Sequence, residues 1–254
     1  MAGQHRKPER RITHRTFPEL PPRPDPQTGE PFPPHARAYA GPEPRDGQSR
    51  PAANRFFADP TPPPHMGPPL AWRHDGIAKN IHGYFVALAI LVAGMGIISL
   101  WRGIGLEALT FWQIWILILV GAYLMSDPLT FKTMSAGADW VQWGMRKRWY
   151  QRRAHRGYLK IYELVSVTAD AAGPTLYLRL EDAEGNVLYR MRHALQGDRR
   201  IWDLLYNGIL HSVANGAEID TLAIGMLKLD ETPALRLRER AGETPEQQSR
   251  DESR

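Results

Sequence analysis

The sequence predicts a membrane α-helical hairpin joined to a small cytoplasmic α+β domain, with a disordered proline-rich N-terminal tail. The α+β part is expected to be an antiparallel β-meander followed by a C-terminal helix. Three observations carry this. Two uncharged apolar runs of 18 residues, Tyr84–Trp101 and Ala108–Met125, lie six residues apart. Of the 22 prolines, 18 fall within residues 1–70. Beyond residue 157 the apolar residues first alternate, as on a half-buried strand, and then recur at helical spacing.

Averages conceal this division. The mean hydropathy of -0.42 and the 43% hydrophobic content resemble those of an ordinary globular chain, because they mix a polar tail, a membrane segment and a mixed domain. At 254 residues the chain has room for one or two domains. The absence of cysteine excludes disulfides and thiolate metal sites.

Residues 1–75 are expected to form the disordered tail. Proline lacks a backbone donor and restricts its neighbour, so Pro21-Pro22-Arg23-Pro24, Pro31-Phe32-Pro33-Pro34 and Pro62-Pro63-Pro64 oppose both helix and sheet. The apolar residues Phe17, Leu20, Phe32, Tyr39, Phe56 and Phe57 follow no period. Polyproline II character is expected. The tail reads as a solvated spacer, with a proline-recognition or anionic-surface segment as the competing reading. No secretory signal is expected, since the first apolar run begins near residue 83.

The hairpin occupies residues 80–128, with spans at 84–101 and 108–125. A bilayer core about 30 Å thick requires roughly 17–25 apolar helical residues. The Arg102–Glu107 link carries one Arg and one Glu. Arg73 and Lys79 precede the first span, and Lys132, Arg146, Lys147, Arg148, Arg152, Arg153 and Arg156 follow the second. The positive-inside rule then predicts a multi-pass inner-membrane protein with both termini cytoplasmic. Trp101, Trp112 and Trp115 are expected as interfacial anchors at the outer end, and Pro128 stops or bends the second helix. Gln113 is the most polar residue in either run, so nothing resembles a transport path. The small residues Gly94, Gly96, Ser99, Gly121 and Ala122 fit packing within the hairpin.

Residues 136–156 are expected to form a basic aromatic juxtamembrane helix. Seven cationic residues and no acidic ones lie between Arg146 and Lys160. Trp140, Trp143, Lys147 and Tyr150 follow steps of 3, 4 and 3, which a helix gathers on one face. The candidate binding residues are Arg146, Lys147, Arg148, Trp149, Arg152, Arg153 and Arg156, with Trp140 and Trp143 as further interfacial anchors. Such a segment suits an anionic inner leaflet, at about 1 kcal/mol per basic residue. It also suits nucleic acid, through phosphate neutralisation and base stacking. Its position directly after a membrane span favours lipid.

Residues 157–230 are expected to form the α+β domain. Tyr158–Thr168 alternates, with Glu163 breaking the face, and Ala172-Gly173-Pro174 marks a turn. Thr175–Glu181 alternates with Leu176, Leu178 and Leu180 on one face. Asp182–Asn186 reads as a hairpin turn, and Val187–His193 as the returning strand. Asp198 is placed to cap a helix carrying Ile201, Leu204, Leu205, Gly208, Ile209 and Val213, which Asn215-Gly216 stops. A short helix is expected over Ile219–Leu229, then a disordered tail over 231–254.

Two membrane helices followed by a meander and a closing amphipathic helix, carried by Tyr177–Glu181, Asn186–Arg190 and Arg200–Leu210, resemble bacterial membrane-anchored proteins with pleckstrin-homology-like cytoplasmic domains. The resemblance is one of layout. It implies lipid-facing or protein-interaction roles and no catalysis.

The motifs of nucleotide binding, zinc hydrolysis and serine hydrolysis are missing from the sequence. His193 and His211 read as structural or surface histidines, and Asp198, Asp203, Glu218 and Asp220 as caps or solvated carboxylates. No enzyme activity, metal or cofactor is expected. The expected function is an inner-membrane scaffold or adaptor that presents a small interaction domain at an anionic surface. Its partners would be the anionic leaflet and another protein or a second copy. Two alternatives stay open: a membrane-anchored nucleic-acid-binding protein of DNA transfer or phage biology, and a holin-like or transport-associated hairpin.

Overall fold

The computed structural model describes Arg15 and residues 17–42, 60–74, 77–103, 110–126, 130–147 and 155–242. Strand β1 (Ala71–His74) is followed by helices α1 (Ile77–Trp101) and α2 (Trp112–Ser126). Strands β2 (Thr130–Ala136), β3 (Trp140–Lys147), β4 (His155–Lys160), β5 (Leu164–Ala172), β6 (Thr175–Asp182) and β7 (Val187–Met191) come next. Then follow α3 (Arg192–Leu195), α4 (Arg199–Ala214), β8 (Glu218–Ile219), α5 (Thr221–Leu227), a 3₁₀ turn at Leu229–Glu231 and α6 (Ala234–Gly242). The strands form two four-stranded sheets, ordered β1-β2-β3-β4 and β7-β6-β5-β8. The fold is α+β, with antiparallel β5-β6 and β6-β7 pairs and a short parallel β5-β8 pair. The chain divides into two units, one of Met1–Arg73, Met134–Trp143 and Gly157–Arg254, the other of His74–Thr133 and Gly144–Arg156.

In the first unit the predicted meander is present, and local chemistry explains its turns. Gly173 and Gly185 take positive φ (58° and 84°), where a side chain would be strained. The buried Asp182 carboxylate organises the β6–β7 turn. Its Oδ1 accepts from the Glu184 and Asn186 amides at 3.0 and 2.9 Å, and its Oδ2 from Asn186 Nδ2 at 3.0 Å and the Lys160 amide at 3.2 Å. Register places Leu178 opposite Ala169, and Leu180 opposite Val167 on one side and Leu188 on the other. All five are buried with Ile201, Leu204, Leu205 and Ile209 of α4 in one core. The Asp198 carboxylate accepts from the Ile201 amide at 3.1 Å, and α4 stops at Ala214 with Asn215 as its C-cap, as expected. Asp220 caps α5 by accepting from the Ala223 amide and also takes the Ala169 amide at 2.9 Å, fastening α5 to β5.

Several expectations are corrected. Residues 17–42 and 60–73 are ordered parts of the first unit, not a disordered tail, and His74 ends β1; the remainder of the expected tail lies outside the described residues. Proline excludes helix and sheet, but it leaves an extended backbone with free carbonyls, which α4 binds. The described part of the expected helix over 136–156 is instead the end of β2, a turn, β3 and the start of β4, and residues 148–154 lie outside the described residues. The Gly137 amide donates to the Trp140 carbonyl at 2.9 Å, closing a β2–β3 hairpin. Trp140 is fully buried, and its indole N–H donates to the Gly67 carbonyl at 3.1 Å. It is a core residue, not an interfacial anchor. The 3-4-3 spacing was compatible with a helix, but pairing to β2 decides the outcome.

Tyr158–Thr168 is not one strand: Ile161–Glu163 turns between β4 and β5, where Glu163 breaks the alternation. The returning strand ends at Met191 and α3 begins. The short C-terminal helix is shorter than expected, because Glu218–Ile219 pairs with Ser166–Val167 before it starts. Ala234–Gly242 of the expected C-terminal disordered tail is helical.

The second unit contains α1 and α2. Ala87, Ser99, Ile118 and Ala122 are buried, and Gly121 lets α2 approach Leu91, whose Cδ1 lies 3.2 Å from where a Gly121 Cβ would sit. Gly94 and Gly96 face open space, so they are not part of this packing. Among the described residues, Ile81–Trp101 alone is long and apolar enough to cross a membrane. Helix α2 has 15 residues, fewer than the expected span, and Ala108 and Pro128 lie outside the described residues.

Candidate functional site

Helix α4 is the centre of the first unit. Residues Ile201–Ala214 are all buried, although a helix that covers a sheet normally keeps a wet outer face. Here the outer face is covered by residues 17–42, which form a strap. Asp203, Asn207 and His211 recur every four residues, which sets them in one row along the helix. The row reads the strap's backbone. Asp203 is 1% exposed; its Oδ1 accepts from the Ala36 amide at 2.8 Å and its Oδ2 bonds His35 Nδ1 at 3.1 Å. Asn207 Nδ2 donates to the Pro22 carbonyl at 3.2 Å, and His211 Nε2 donates to the Pro21 carbonyl at 2.8 Å. At the other end of the strap, Gln196 Nε2 and Arg192 Nη2 both donate to the Ala38 carbonyl, and Trp202 Nε1 donates to the Arg37 carbonyl. Three guanidinium groups lie over rings across this interface: Arg23 over Tyr162, Arg199 over Tyr39 and Arg200 over Phe32, at 4.7–4.9 Å.

His211 is held neutral. Burial lowers its pKa and the Arg23 charge adds to this, opposed by the bond to Pro21. With Nε2 donating to Pro21, Nδ1 is the acceptor, and Arg23 Nε faces it at 3.5 Å. The Tyr162 ring packs edge-on at 5.4 Å. Since the folded pKa lies below the ordinary 6.5, the unfolded chain binds this proton first as pH falls. The contribution of His211 is complete above about pH 6.5 and is progressively lost below it, through the folded pKa. Urea midpoints of the full chain are expected to fall between pH 7.5 and 5.5, and His211→Gln, which cannot take up the proton, is expected to flatten that slope.

A second concavity of about 430 Å³ includes Asp139, Tyr158, Lys160, Tyr162, Glu163 and Glu184. Lys160 Nζ lies 2.6 Å from Glu184 and 3.7 Å from Glu163. The Glu184 contact raises the Lys160 pKa, and the same contact lowers that of Glu184. Burial pushes the Asp139 carboxyl upward, with Glu163 contributing. Among the described residues, no group of three or more His, Asp or Glu could hold a metal ion.

The sequence-predicted residues are dispersed. Trp101 ends α1 and is 88% exposed; Trp112 and Trp115 on α2 are exposed too. Trp143 is half-buried against Gly157. Arg146 and Lys147 end β3, and Arg156 lies in β4, its neighbour in the sheet. Arg148, Trp149, Arg152 and Arg153 lie outside the described residues. The Asp203–Asn207–His211 row was missed. Its signal was a polar row on a helix whose opposite side was already apolar, in a chain that also carries a proline-rich segment.

No protein-family model, curated protein or solved structure matches this chain.

Proposed function

We propose that this protein is an integral-membrane scaffold or adaptor, with α1 and α2 as its membrane segment and the strapped α+β unit as its interaction module. The observation that carries this is the outer surface of the two helices. Phe85, Ile90, Ile97, Trp101, Leu117 and Leu124 are all exposed, and 11% of the most apolar stretch of α1 is buried. A core helix buries such side chains, and water does not accommodate a continuous apolar surface of this extent. In this reading α1 crosses the bilayer, α2 returns the chain, and both termini face the cytoplasm under the positive-inside rule. Arg146, Lys147, Arg148, Trp149, Arg152, Arg153 and Arg156 bind the anionic inner leaflet. Two sheets followed by α4 support a pleckstrin-homology-like assignment for the module, and a protein or a second copy is its partner.

Membrane fractionation tests the reading. The full chain is expected to resist alkaline carbonate extraction and to float with vesicles. Ile90→Arg, near the middle of α1, costs about 2.5–3.5 kcal/mol of insertion and is expected to shift much of the chain into the extractable fraction. Extraction of the unsubstituted chain by carbonate would sink the proposal. Flotation that ignores anionic lipid, together with a salt-steep shift of DNA, would replace leaflet binding by nucleic-acid binding.

A further inference from the structure

We infer that the face of α4 beside Tyr162 is a receptor for a Leu-Pro-Pro-Arg segment of a partner protein, and that the strap occupies it as a built-in competitor. This rests on the adaptor reading and names the partner by its chemistry. Leu20-Pro21-Pro22-Arg23 show what the face takes. Leu20 is 5% exposed and lines one concavity with Tyr206 and Leu210 of α4. The carbonyls of the two consecutive prolines accept from two different side chains of the helix, His211 and Asn207. The Arg23 guanidinium lies over the Tyr162 ring, 4.7 Å from its centroid. An apolar anchor, two neighbouring carbonyls and a cation over a ring are thus read together. A polyproline segment makes no internal hydrogen bonds and is already extended, so its carbonyls are open to such donors and little entropy is lost on docking. The same helix meets a second segment of this kind, Pro33-Pro34-His35, through the bonds of Asp203 to His35 and the Ala36 amide.

The docked strap is an imperfect ligand. Arg23 Nη2 is buried and has no hydrogen-bond partner among the described residues, and a buried donor without an acceptor opposes docking. A partner segment whose arginine carries its own acceptor avoids that loss. Each copy of the chain brings one strap for one such face, so exchange between copies gains no contact. The occupant is therefore a segment of a different protein.

The test uses the full chain in lipid nanodiscs and a fluorescent peptide with the sequence of residues 17–26, standing in for the partner segment. An attached strap competes at an effective concentration of millimolar order, so the unsubstituted chain is expected to bind the peptide weakly. Leu20→Ala with Arg23→Ala weakens the strap and leaves α4 untouched, and this chain is expected to bind the peptide at least tenfold more tightly. A peptide with alanine in place of its arginine loses the cation–ring contact and is expected to bind that chain about tenfold more weakly. In the unsubstituted chain at high peptide concentration, photo-leucine at the peptide's leucine position is expected to label α4, a readout independent of whether the variant folds. Equal affinity for the two chains, indifference to the peptide's arginine, absence of label on α4, or exchange of straps between two differently tagged copies would each overturn the inference. A chain that carbonate extracts from membranes and that still binds the peptide would sink the anchor reading alone.

Discussion

Replacing Asp203 by alanine is expected to free the strap and to cost about 2–3 kcal/mol of stability. A hydrogen bond to a charged group contributes roughly 1.5–3 kcal/mol, and a buried donor left unpaired carries its full desolvation cost. Asp203 accepts from the Ala36 amide and from His35. The His35 side chain is 75% exposed, so its share is discounted for solvent screening, and the Ala36 amide supplies most of the effect. Asp203→Asn keeps an acceptor for that amide and is expected to lose about half as much. Trypsin is the direct measurement. The Arg37–Ala38 bond is a cleavage site whose backbone is held by the Ala36 amide and Arg37 carbonyl bonds, and the alanine variant is expected to be cut there under conditions that leave this bond intact in the original chain. Unchanged resistance would mean that the strap stays docked without the Asp203 bonds.

Replacing Gly208 by alanine is expected to destabilise the α+β unit by about 2–3 kcal/mol, despite the higher helix propensity of alanine. That propensity is worth about 1 kcal/mol. Against it stands a Cβ placed 2.6 Å from Ile161 Cβ and 2.8 Å from the Ile161 carbonyl oxygen, where the backbone has no freedom to retreat. The same carbonyl accepts from Ser212 Oγ at 3.0 Å, and Ser212 Oγ accepts from the Leu164 amide at 3.2 Å. Moving α4 away to relieve the overlap loosens both bonds, which adds to the usual cost of overpacking. A loss of roughly 5–10 °C in the melting temperature is expected, since 1 kcal/mol shifts a unit of this size by about 2–4 °C. An unchanged or higher melting temperature would show that the helix can shift without penalty.

The elements legible in the sequence are those fixed by neighbours along the chain. Leu176, Leu178 and Leu180 alternate, Gly185 closes a turn, and Asp198 stands where a helix cap is required. The pairing of β3 was not legible, because Trp140 owes its position to β2 and to the Gly67 carbonyl, 73 residues away. The strap was hidden for a related reason. An extended proline-rich segment carries no period, and its order comes from donors on a helix that the chain makes much later. Asp203 looked like a cap or solvated carboxylate and His211 like a structural or surface histidine, and Asn207 drew no reading, because what covers them is remote in sequence.

The strap also imposes an order of events in time. Residue 35 bonds residue 203, 168 positions later, so during synthesis the strap leaves the ribosome long before its binding face exists. At 5–20 residues per second the interval is roughly 10–30 s, and closing so long a loop comes late in folding. For that period the proline-rich segment is bare chain, open to proteases and chaperones, and it docks only after α4 has emerged. A segment made well before α4 is thus among the last to find its place.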